Sequence, residues 1–266
     1  MPPEGDVPAP ARQRNNKSQG RALAGIWRRY TDGLPEYLVR HYWWAYLWRV
    51  GVWFFDHQPI INAILFGQYR TLCRQALQAC TNGRPEGRLL QLTCVYGGLT
   101  PALLKTSQDD LYLMDVAEIQ LATARRKLSD AEGRRLLAAR MNAERLAYRD
   151  DAFATILVFF LLHELPPDAR ERTLCEALRV LRPGGRLVIT EYGACPRRHL
   201  LWRLWPLRIL LLWLEPFLGS FWRMDLPATL AACAQRQGKT IRPLEAFHCF
   251  SAFYRVCVFE VGTPGQ

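Results

Sequence analysis

Residues 89–100, LLQLTCVYGGLT, decide the fold class of this chain. A short, mainly apolar run is followed by a turn that contains Gly97 and Gly98, and a helical pattern covers 100–106. A strand that runs directly into such a turn and a helix directs backbone N–H groups and the positive end of the helix dipole at a ligand. The stretch therefore predicts a strand, turn and helix that bind a ligand.

The chain beyond this turn alternates between short apolar runs and amphipathic stretches. The runs are LYLMDV, RRLLAARM, ATILVFF, GRLVITEY and FSAFYRVCVFEV, and the helical stretches include AEIQLATARRKL and PDARERTLCEALRVL. Strands that alternate with helices predict an α/β fold, with right-handed crossovers and a mostly parallel sheet covered on both faces. The last run fits the antiparallel edge strand that is common in such sheets.

Three segments flank or interrupt this α/β pattern. Residues 1–20 are polar and rich in proline and lack the apolar centre of a secretory signal, so we predict a disordered tail. Residues 21–85 are aromatic with a helical period and end in the loop TNGRPEG, which predicts a helical cap. The α/β domain is expected over 86–266. It includes an apolar insertion, 196–225, at the carboxyl edge of the sheet, where ligands bind.

The net charge is +11, and it comes mostly from arginine, because the chain has few lysines. This charge is explained either by a solvated basic surface or by an anionic partner. A phospholipid surface is favoured over nucleic acid as that partner, since the basic residues are dispersed and the aromatic residues lie in apolar helices. We therefore expect no nucleic acid partner.

The insertion HLLWRLWPLRILLLWLEPFLGSFW is apolar but too interrupted to span a bilayer, which takes about 20 apolar residues. Arginines, prolines and Glu215 break it. The pattern predicts a helix pair that lies in a membrane interface with its four tryptophans at headgroup depth. A buried helix pair over the site is the alternative.

The eight cysteines are scattered, with no C-x-x-C pair and no Cys/His cluster of the spacing that zinc needs. We expect reduced thiols in a cytosolic protein.

Three further motifs carry chemistry. Asp115 ends the second run, roughly 20 residues after the turn, where a carboxylate can accept both ribose hydroxyls of a nucleotide cofactor; the alternative is a helix N-cap. Asn142 can hydrogen-bond an adenine amino group, or it can belong to a plain loop. The Arg-Pro-Gly-Gly turn at 182–185 predicts a sharp helix exit before an apolar strand.

These motifs, in this order, resemble the RquA family, a rhodoquinone-biosynthesis branch of the class I S-adenosylmethionine (SAM) dependent methyltransferases. The resemblance covers about 37–225 and rests on YWWAY, DHQPIINAILFGQY, CVYGGLT, FFLLHELP and LEPF. It implies a Rossmann-like class I methyltransferase fold. Most SAM-dependent methyltransferases have an acidic residue followed by three alternating glycines at this turn. At these positions this chain has Gln91, Thr93, Val95 and Gly97.

The resemblance implies a SAM-dependent transferase that converts ubiquinone to rhodoquinone. A ring methoxy group would be replaced by an amino group derived from SAM, with help from manganese (Mn²⁺). The protein would be cytoplasmic and peripherally associated with the inner membrane. A conventional SAM-dependent methyltransferase acting on a quinone or a lipid-like phenol is the alternative, and a degenerate fold that serves as a scaffold is a third hypothesis.

The motifs and the resemblance together give the candidate site residues. Tyr96, His163 and Tyr192 are the candidate catalytic groups, and His163 and Glu164 are candidate manganese ligands, since imidazole and carboxylate both bind this metal. Glu191 is a further acid/base candidate, and a helix-capping role for His163 and Glu164 is the alternative. The candidate SAM contacts are Gln91, Thr93, Val95, Tyr96, Gly97, Asp115, Val116, Asn142 and Ala143.

Overall fold

The computed structural model describes residues 33–107, 109–196 and 199–265, and the predicted tail at 1–20 lies outside them. The chain from Pro35 onwards forms one compact unit. Its centre is a seven-stranded sheet with the strand order β3-β2-β1-β4-β5-β7-β6. The strands are β1 (Leu89–Leu92), β2 (Leu111–Asp115), β3 (Leu136–Arg140), β4 (Phe153–Phe159), β5 (Leu181–Tyr192), β6 (Thr240–Cys249) and β7 (Tyr254–Gly262).

Strands β1 to β5 pair in parallel, and β7 pairs antiparallel with both β5 and β6. Every residue of the central strands β1 and β4 is buried, as expected of parallel strands that are covered on both faces. The α/β prediction is confirmed. The expected place of the last strand is wrong, because β7 lies inside the sheet and β6 is the edge. The apolar pattern of β6 is weak because six of its ten residues are exposed.

Helices surround this sheet and also form the cap, which we define as α1 to α5. The helix Tyr69–Thr81 packs on β5 and β7, and the helix Glu118–Arg126 packs on β2 and β3. The helix Pro167–Val180 packs on β5 and on the helix Leu226–Arg236. The cap helices are α1 (Glu36–His41), α2 (Trp43–Tyr46), α3 (Arg49–Phe55), α4 (Gln58–Ile64) and α5 (Tyr69–Thr81). The helices between the strands are α6 (Leu99–Thr106), α7 (Glu118–Arg126), α8 (Asp130–Arg134) and α9 (Pro167–Val180).

The apolar insertion follows β5, at the carboxyl edge of the sheet. Where the sequence predicts a helix pair, the structure has three short helices before α13: α10 (Leu200–Arg203), α11 (Trp205–Leu214) and α12 (Leu218–Phe221). The next helix is α13 (Leu226–Arg236). Asp225 is its N-cap, and the Asp225 side chain accepts a hydrogen bond from the backbone N–H of Ala228. Across the described ranges, no helix has both the length and the apolar character that crossing a bilayer requires.

One pair of cysteines departs from the expectation of reduced thiols. Cys175 on α9 and Cys233 on α13 form a disulfide, with their Cα atoms 5.0 Å apart. The two cysteines are 58 residues apart in the chain, so their spacing gives no sign of the pairing. The packing of α9 against α13 brings them together.

Candidate active site

The turn after β1 keeps a glycine-like backbone although glycine is missing from two of its expected positions. Thr93 has φ of 68°, in the left-handed region that a β-branched residue seldom adopts. Gln91 stabilises this conformation from beneath: its side-chain amide donates to the carbonyl oxygen of Thr93 at 2.9 Å and accepts from the hydroxyl of Thr100 at 3.0 Å. Gln91 is therefore a structural support of the turn.

The second half of the turn is tied to the cap. Gly97 has φ of 79°, and a side chain there would collide with the ring of Tyr69. The Tyr69 hydroxyl donates to the carbonyl oxygen of Tyr96 at 2.7 Å and accepts from the N–H of Gly98 at 2.9 Å. Glycine is thus required at position 97 by the close approach of α5.

Asp115 lies at the carboxyl end of β2, beside the turn. Its carboxylate accepts from the backbone N–H groups of Cys94 and Ala117, both at 2.8 Å. Burial raises the pKa of Asp115 to about 6, against the opposing effect of these hydrogen bonds. The N-cap alternative is wrong, because α7 begins at Glu118 with Ala117 in the cap position.

A cavity of about 330 Å³ opens at the carboxyl edge of the sheet, between the turn, the cap and the insertion. At one end it contacts Asp115 beside the turn, and at the other it contacts Glu215 at the end of α11. Aromatic side chains from the cap and from β4 form much of its wall. The candidate residues that line it are Thr93, Val95, Tyr96, Asp115, Val116, Ala143, His163, Glu164 and Tyr192.

Three of the candidate SAM contacts are not among the lining residues. Gln91 supports the turn from β1, and Gly97 is part of the turn and packs against Tyr69. Asn142 turns onto its own loop, where its side-chain oxygen accepts from the backbone N–H of Glu144 at 2.9 Å. Its direct contact with a cofactor stays a prediction.

His163 occupies the far end of the cavity, held by a carboxylate from the neighbouring strand. Its Nδ1 lies 2.9 Å from Glu191 Oε2. Glu191 also accepts from the N–H groups of Leu162 and His163, at 2.6 and 3.3 Å, so it caps the short 3₁₀ helix that follows β4. Because β4 and β5 are parallel neighbours, the residues after their carboxyl ends meet. The capping role considered for His163 and Glu164 therefore belongs to Glu191.

The other ring nitrogen of His163 faces two further carboxylates. Nε2 lies 3.7 Å from Glu215 Oε2 and 4.0 Å from Glu164 Oε1. Each carboxylate is held by a cap tyrosine: Tyr42 donates to Glu215 at 3.1 Å, and Tyr46 donates to Glu164. One atom from each of His163, Glu164 and Glu215 fits within 4.8 Å of the other two.

The pKa values in this cluster report an excess of buried negative charge. Burial raises the pKa of Glu164 to about 8, with His163 opposing the rise, and burial also raises the pKa of Glu215. Burial alone disfavours the imidazolium form of His163, but the carboxylates of Glu191 and Glu215 outweigh it and raise its pKa to about 9. An additional cation would allow both raised carboxyls to ionise.

Tyr96 and Tyr192 take different positions in the cavity wall. The Tyr96 hydroxyl donates to the carbonyl oxygen of Ala45 and accepts from the Gln120 amide at 2.8 Å, and its ring stacks on Tyr46 with centroids 5.7 Å apart. Its ring therefore contributes the cavity surface. Tyr192 is buried at the other end, edge-on to His163 with centroids 4.8 Å apart. The catalytic roles of both stay predictions.

Sequence reasoning did not assign the site roles of Glu215, Tyr42 and Tyr46. One signal for Glu215 was present: a carboxylate inside an apolar run costs several kcal/mol unless it is paired, and so marks a functional contact. The two tyrosines look like ordinary cap residues until the fold brings them onto carboxylates that are 118 and 173 positions away.

Comparison with known proteins agrees with this geometry. Residues 89–185 match the family model of a methyltransferase domain. The N-methyltransferase NodS of Bradyrhizobium japonicum has a similar fold, with a TM-score of 0.52 at 15% identity over 73% of this chain and 96% of that one. The chain therefore has the Rossmann-like fold of class I methyltransferases. The YcgJ protein of Bacillus subtilis also has a similar fold, with a TM-score of 0.52 at 12% identity over 74% of this chain and all of the other.

Two of the proteins with similar sequences are named as methyltransferases of quinone biosynthesis. The ubiquinone/menaquinone biosynthesis C-methyltransferase UbiE of Vibrio parahaemolyticus is 30% identical over 137 residues, which is 50% of this chain and 52% of the relative. The demethylmenaquinone methyltransferase of Bacillus mycoides is 25% identical over 51% and 57%. The chain thus spans about half the length of these relatives. The matches support an enzyme of the SAM-dependent transferase class.

Proposed function

We propose that this protein is a SAM-dependent enzyme that converts ubiquinone to rhodoquinone, replacing a ring methoxy group with an amino group derived from SAM. The observation that carries the proposal is one cavity whose wall includes both a SAM-type turn and a buried histidine and carboxylate cluster. The resemblance to the RquA family and the quinone-related sequence relatives support the same substrate class.

The residues beside the turn suit the nucleoside end of SAM. The Asp115 carboxylate uses its two backbone hydrogen bonds for its own placement and still lines the cavity, where it can accept ribose hydroxyls. Val116 and Ala143 provide apolar surface for a flat base. At the positions of the missing glycines, Thr93 and Val95 present side chains to the same cavity, so the methionine end must take a different path from that in a glycine turn.

The middle of the cavity suits a quinone ring. Tyr46 and Tyr96 form a stacked pair, with Phe55 at 6.1 Å from Tyr96, and Trp44 and Phe160 add further aromatic surface. Flat aromatic walls bury a flat ring and exclude water from it. The cluster at His163 lies at the end of this aromatic section, within reach of a ring oxygen.

The cluster also fits the manganese ion that the resemblance implies. His163, Glu164 and Glu215 would hold it, since imidazole and carboxylate are suitable donors for this metal. Glu191 fixes the ring through Nδ1 and leaves Nε2 toward the other two carboxylates, an arrangement typical of metal-binding histidines. When bound, the ion would supply Lewis acidity to a quinone oxygen.

In the proposed reaction, a bond forms between the SAM amino nitrogen and the methoxy-bearing ring carbon, and methanol leaves. The bond between that nitrogen and its SAM carbon then breaks. The electron pair stays on nitrogen, and a proton moves to it from the adjacent SAM carbon, which leaves an alkene on the SAM fragment. The contribution of this chain is to hold the two substrates in one water-poor cavity and to orient the amine toward the ring.

The experiment that tests the proposal is mass spectrometry of ubiquinone incubated with the pure protein, Mn²⁺ and SAM that carries nitrogen-15 at its α-amino group. We expect the label in an aminoquinone. Formation of S-adenosylhomocysteine with an unlabelled quinone would overturn amino transfer. It would support conventional methyl transfer, the second candidate, which the named activity of the UbiE relative favours.

The metal part of the proposal has a test that does not depend on activity. At about 100 times its Kd, Mn²⁺ should raise the Tm of the unliganded protein by roughly 5 °C or more. Glu215→Gln should lose most of this shift, whereas the exposed Glu245→Gln should keep it. An equal shift in both variants would exclude Glu215 as a ligand. The proposal also includes a peripheral position at the cytoplasmic face of the inner membrane.

A further inference from the structure

Helix α11, in the insertion, is apolar on the side that faces away from the protein. None of its ten residues is buried. Trp205, Ile209 and Trp213 are spaced four residues apart, so they share one helix face, and they are 64%, 54% and 76% exposed. A helix that is apolar all round is normally buried in a protein core or in a membrane.

The cap presents a second exposed aromatic face. Trp43, Trp48, Trp53 and Phe54 are each at least 44% exposed, and Val50 lies among them in the sequence with 53% exposure. The rings of Trp43 and Trp48 contact each other with centroids 6.5 Å apart. Tryptophan is the residue enriched at membrane–water boundaries, where its ring can lie at headgroup depth.

The two faces belong to neighbouring elements. Tyr42, next to Trp43, donates a hydrogen bond to Glu215, two residues beyond Trp213. His41 contacts the ring of Phe217 with centroids 5.3 Å apart. The residues that follow α11 therefore contact α1 and the residue between α1 and α2. The exposed tryptophans lie on either side of these contacts.

The cavity described above reaches the same region. Ile64 of the cap both lines the cavity and is 46% exposed, so it stands at an opening. Leu214 lines the cavity directly after the exposed Trp213. A substrate with a long apolar tail can therefore place its ring in the cavity and leave its tail among the exposed apolar residues.

Basic residues accompany these aromatic faces. Arg40, Arg49, Arg203 and Arg223 are exposed on the cap and the insertion, and the guanidinium of Arg208 lies 5.3 Å from the ring centre of Trp202. The described acidic residues of these elements are fewer: Glu36 and Asp225 are exposed, Asp56 pairs with Lys127, and Glu215 belongs to the buried cluster. The charge beside the apolar surface is thus mainly positive, which complements anionic lipid headgroups.

We propose that the exposed faces of α11 and of α2–α3 form one docking surface for an anionic lipid bilayer, with the cavity opening directed at the lipid. The inference deepens the proposed function, on which it rests for the apolar tail of the substrate. The docking surface itself is defined by exposure and charge, so its test needs neither SAM nor quinone.

The test is flotation of the full chain with vesicles of phosphatidylcholine alone or with about one third phosphatidylglycerol. The wild-type protein should float with the anionic vesicles and bind neutral ones less. Trp205→Ser/Trp213→Ser and Trp43→Ser/Trp53→Ser should each weaken binding to anionic vesicles about tenfold. Leu137→Ser, at a 39% exposed leucine on the edge strand β3, is the matched control and should bind as the wild type does.

Arginine variants separate charge from apolar contact. Arg203→Gln/Arg49→Gln should weaken binding to anionic vesicles and leave binding to neutral vesicles unchanged, and Arg134→Gln on α8 is the control. Unchanged flotation of both tryptophan variants would overturn the proposal. So would a wild-type dimer that the tryptophan variants convert to monomers without any vesicle binding, because the occupant would then be a second copy of the chain.

Failure of this inference can be distinguished from failure of the proposed function. If the chain floats as expected but makes no aminoquinone, the docking surface stands and the reaction is wrong. If it makes aminoquinone from a short-tailed quinone in solution but does not float, the reaction stands and the docking surface is wrong.

Discussion

The Asp115 carboxylate is buried beside the turn, apart from the histidine cluster. Its pKa is raised to about 6 because burial disfavours the charged form. Hydrogen bonds to ribose hydroxyls need the ionised carboxylate as acceptor. SAM binding should therefore be strongest above pH 6 and should weaken as the pH falls through that value.

We expect the Kd for SAM to rise by up to about tenfold per pH unit between pH 6 and 5, measured by calorimetry. Asp115→Asn should bind SAM weakly at all pH values and lose this dependence, since an amide does not titrate. Persistence of the same pH profile in Asp115→Asn would show that another group controls binding.

Gln91 stabilises the strained turn, and its replacement tests that role. Gln91→Leu should lower the free energy of unfolding by about 1–3 kcal/mol, because the buried groups of Thr93 and Thr100 lose their partner. Urea unfolding measures the change. The exposed Gln78→Leu should change stability by less than about 0.5 kcal/mol. Equal stability of both variants would contradict the supporting role.

At the scale of elements, the side chains of Asp56 and Lys127 connect the cap to the turn. Asp56 accepts from the N–H of Gly97 at 3.0 Å and pairs with Lys127, which also donates to the carbonyl oxygen of Gly97 at 3.0 Å. Both side chains are about one fifth exposed, so solvent screens the pair only in part. The pair connects α3, α7 and the turn.

Removing this ion pair should increase local opening of the cap and leave local opening of the sheet unchanged. In Lys127→Met, hydrogen exchange of the cap amides at 49–64 should accelerate about fivefold, while exchange in β4 should stay as in the wild type. Lys105→Met, at an exposed lysine, is the control. Equal acceleration of hydrogen exchange in the cap and in β4 would indicate global destabilisation. It would contradict a local effect of the ion pair on the cap.

The disulfide between α9 and α13 is a second connection between elements. In denaturant without reductant, six of the eight cysteines should react with a thiol reagent, and all eight should react after reduction. Cys175→Ser/Cys233→Ser should lower stability by about 2–4 kcal/mol, since the closed loop restricts the unfolded chain. A titration of eight thiols without reductant would contradict the bond.

At the scale of the whole molecule, the cap and the sheet share one compact unit from Pro35 onwards. The eight tryptophans among the described residues lie in 43–53 and 202–222, outside the strands, whereas circular dichroism reports the helices and strands together. We expect tryptophan fluorescence and circular dichroism to give the same urea midpoint, as in a cooperative two-state transition. An earlier fluorescence midpoint would show that the cap unfolds by itself, and would support the predicted boundary at residue 85.

The sequence determined the class of the fold and predicted the turn after the first strand. Buried parallel strands must be continuous apolar runs, and their carboxyl ends must meet at one edge, so the periodicity alone predicts the sheet. The turn after β1 and Asp115 are local in the chain and follow from the same pattern. The position of β6 did not follow, because six of its ten residues are exposed and its apolar signal is weak.

Only the tertiary structure decided the composition of the cluster at the other end of the cavity. Glu215 meets His163 because the insertion folds back over the sheet edge, and Tyr42 and Tyr46 reach the carboxylates because the cap covers the same edge. These contacts join residues that are 52 to 173 positions apart in the chain. Periodicity reports only which side of an element is buried, so it cannot specify which distant side chain lies against it.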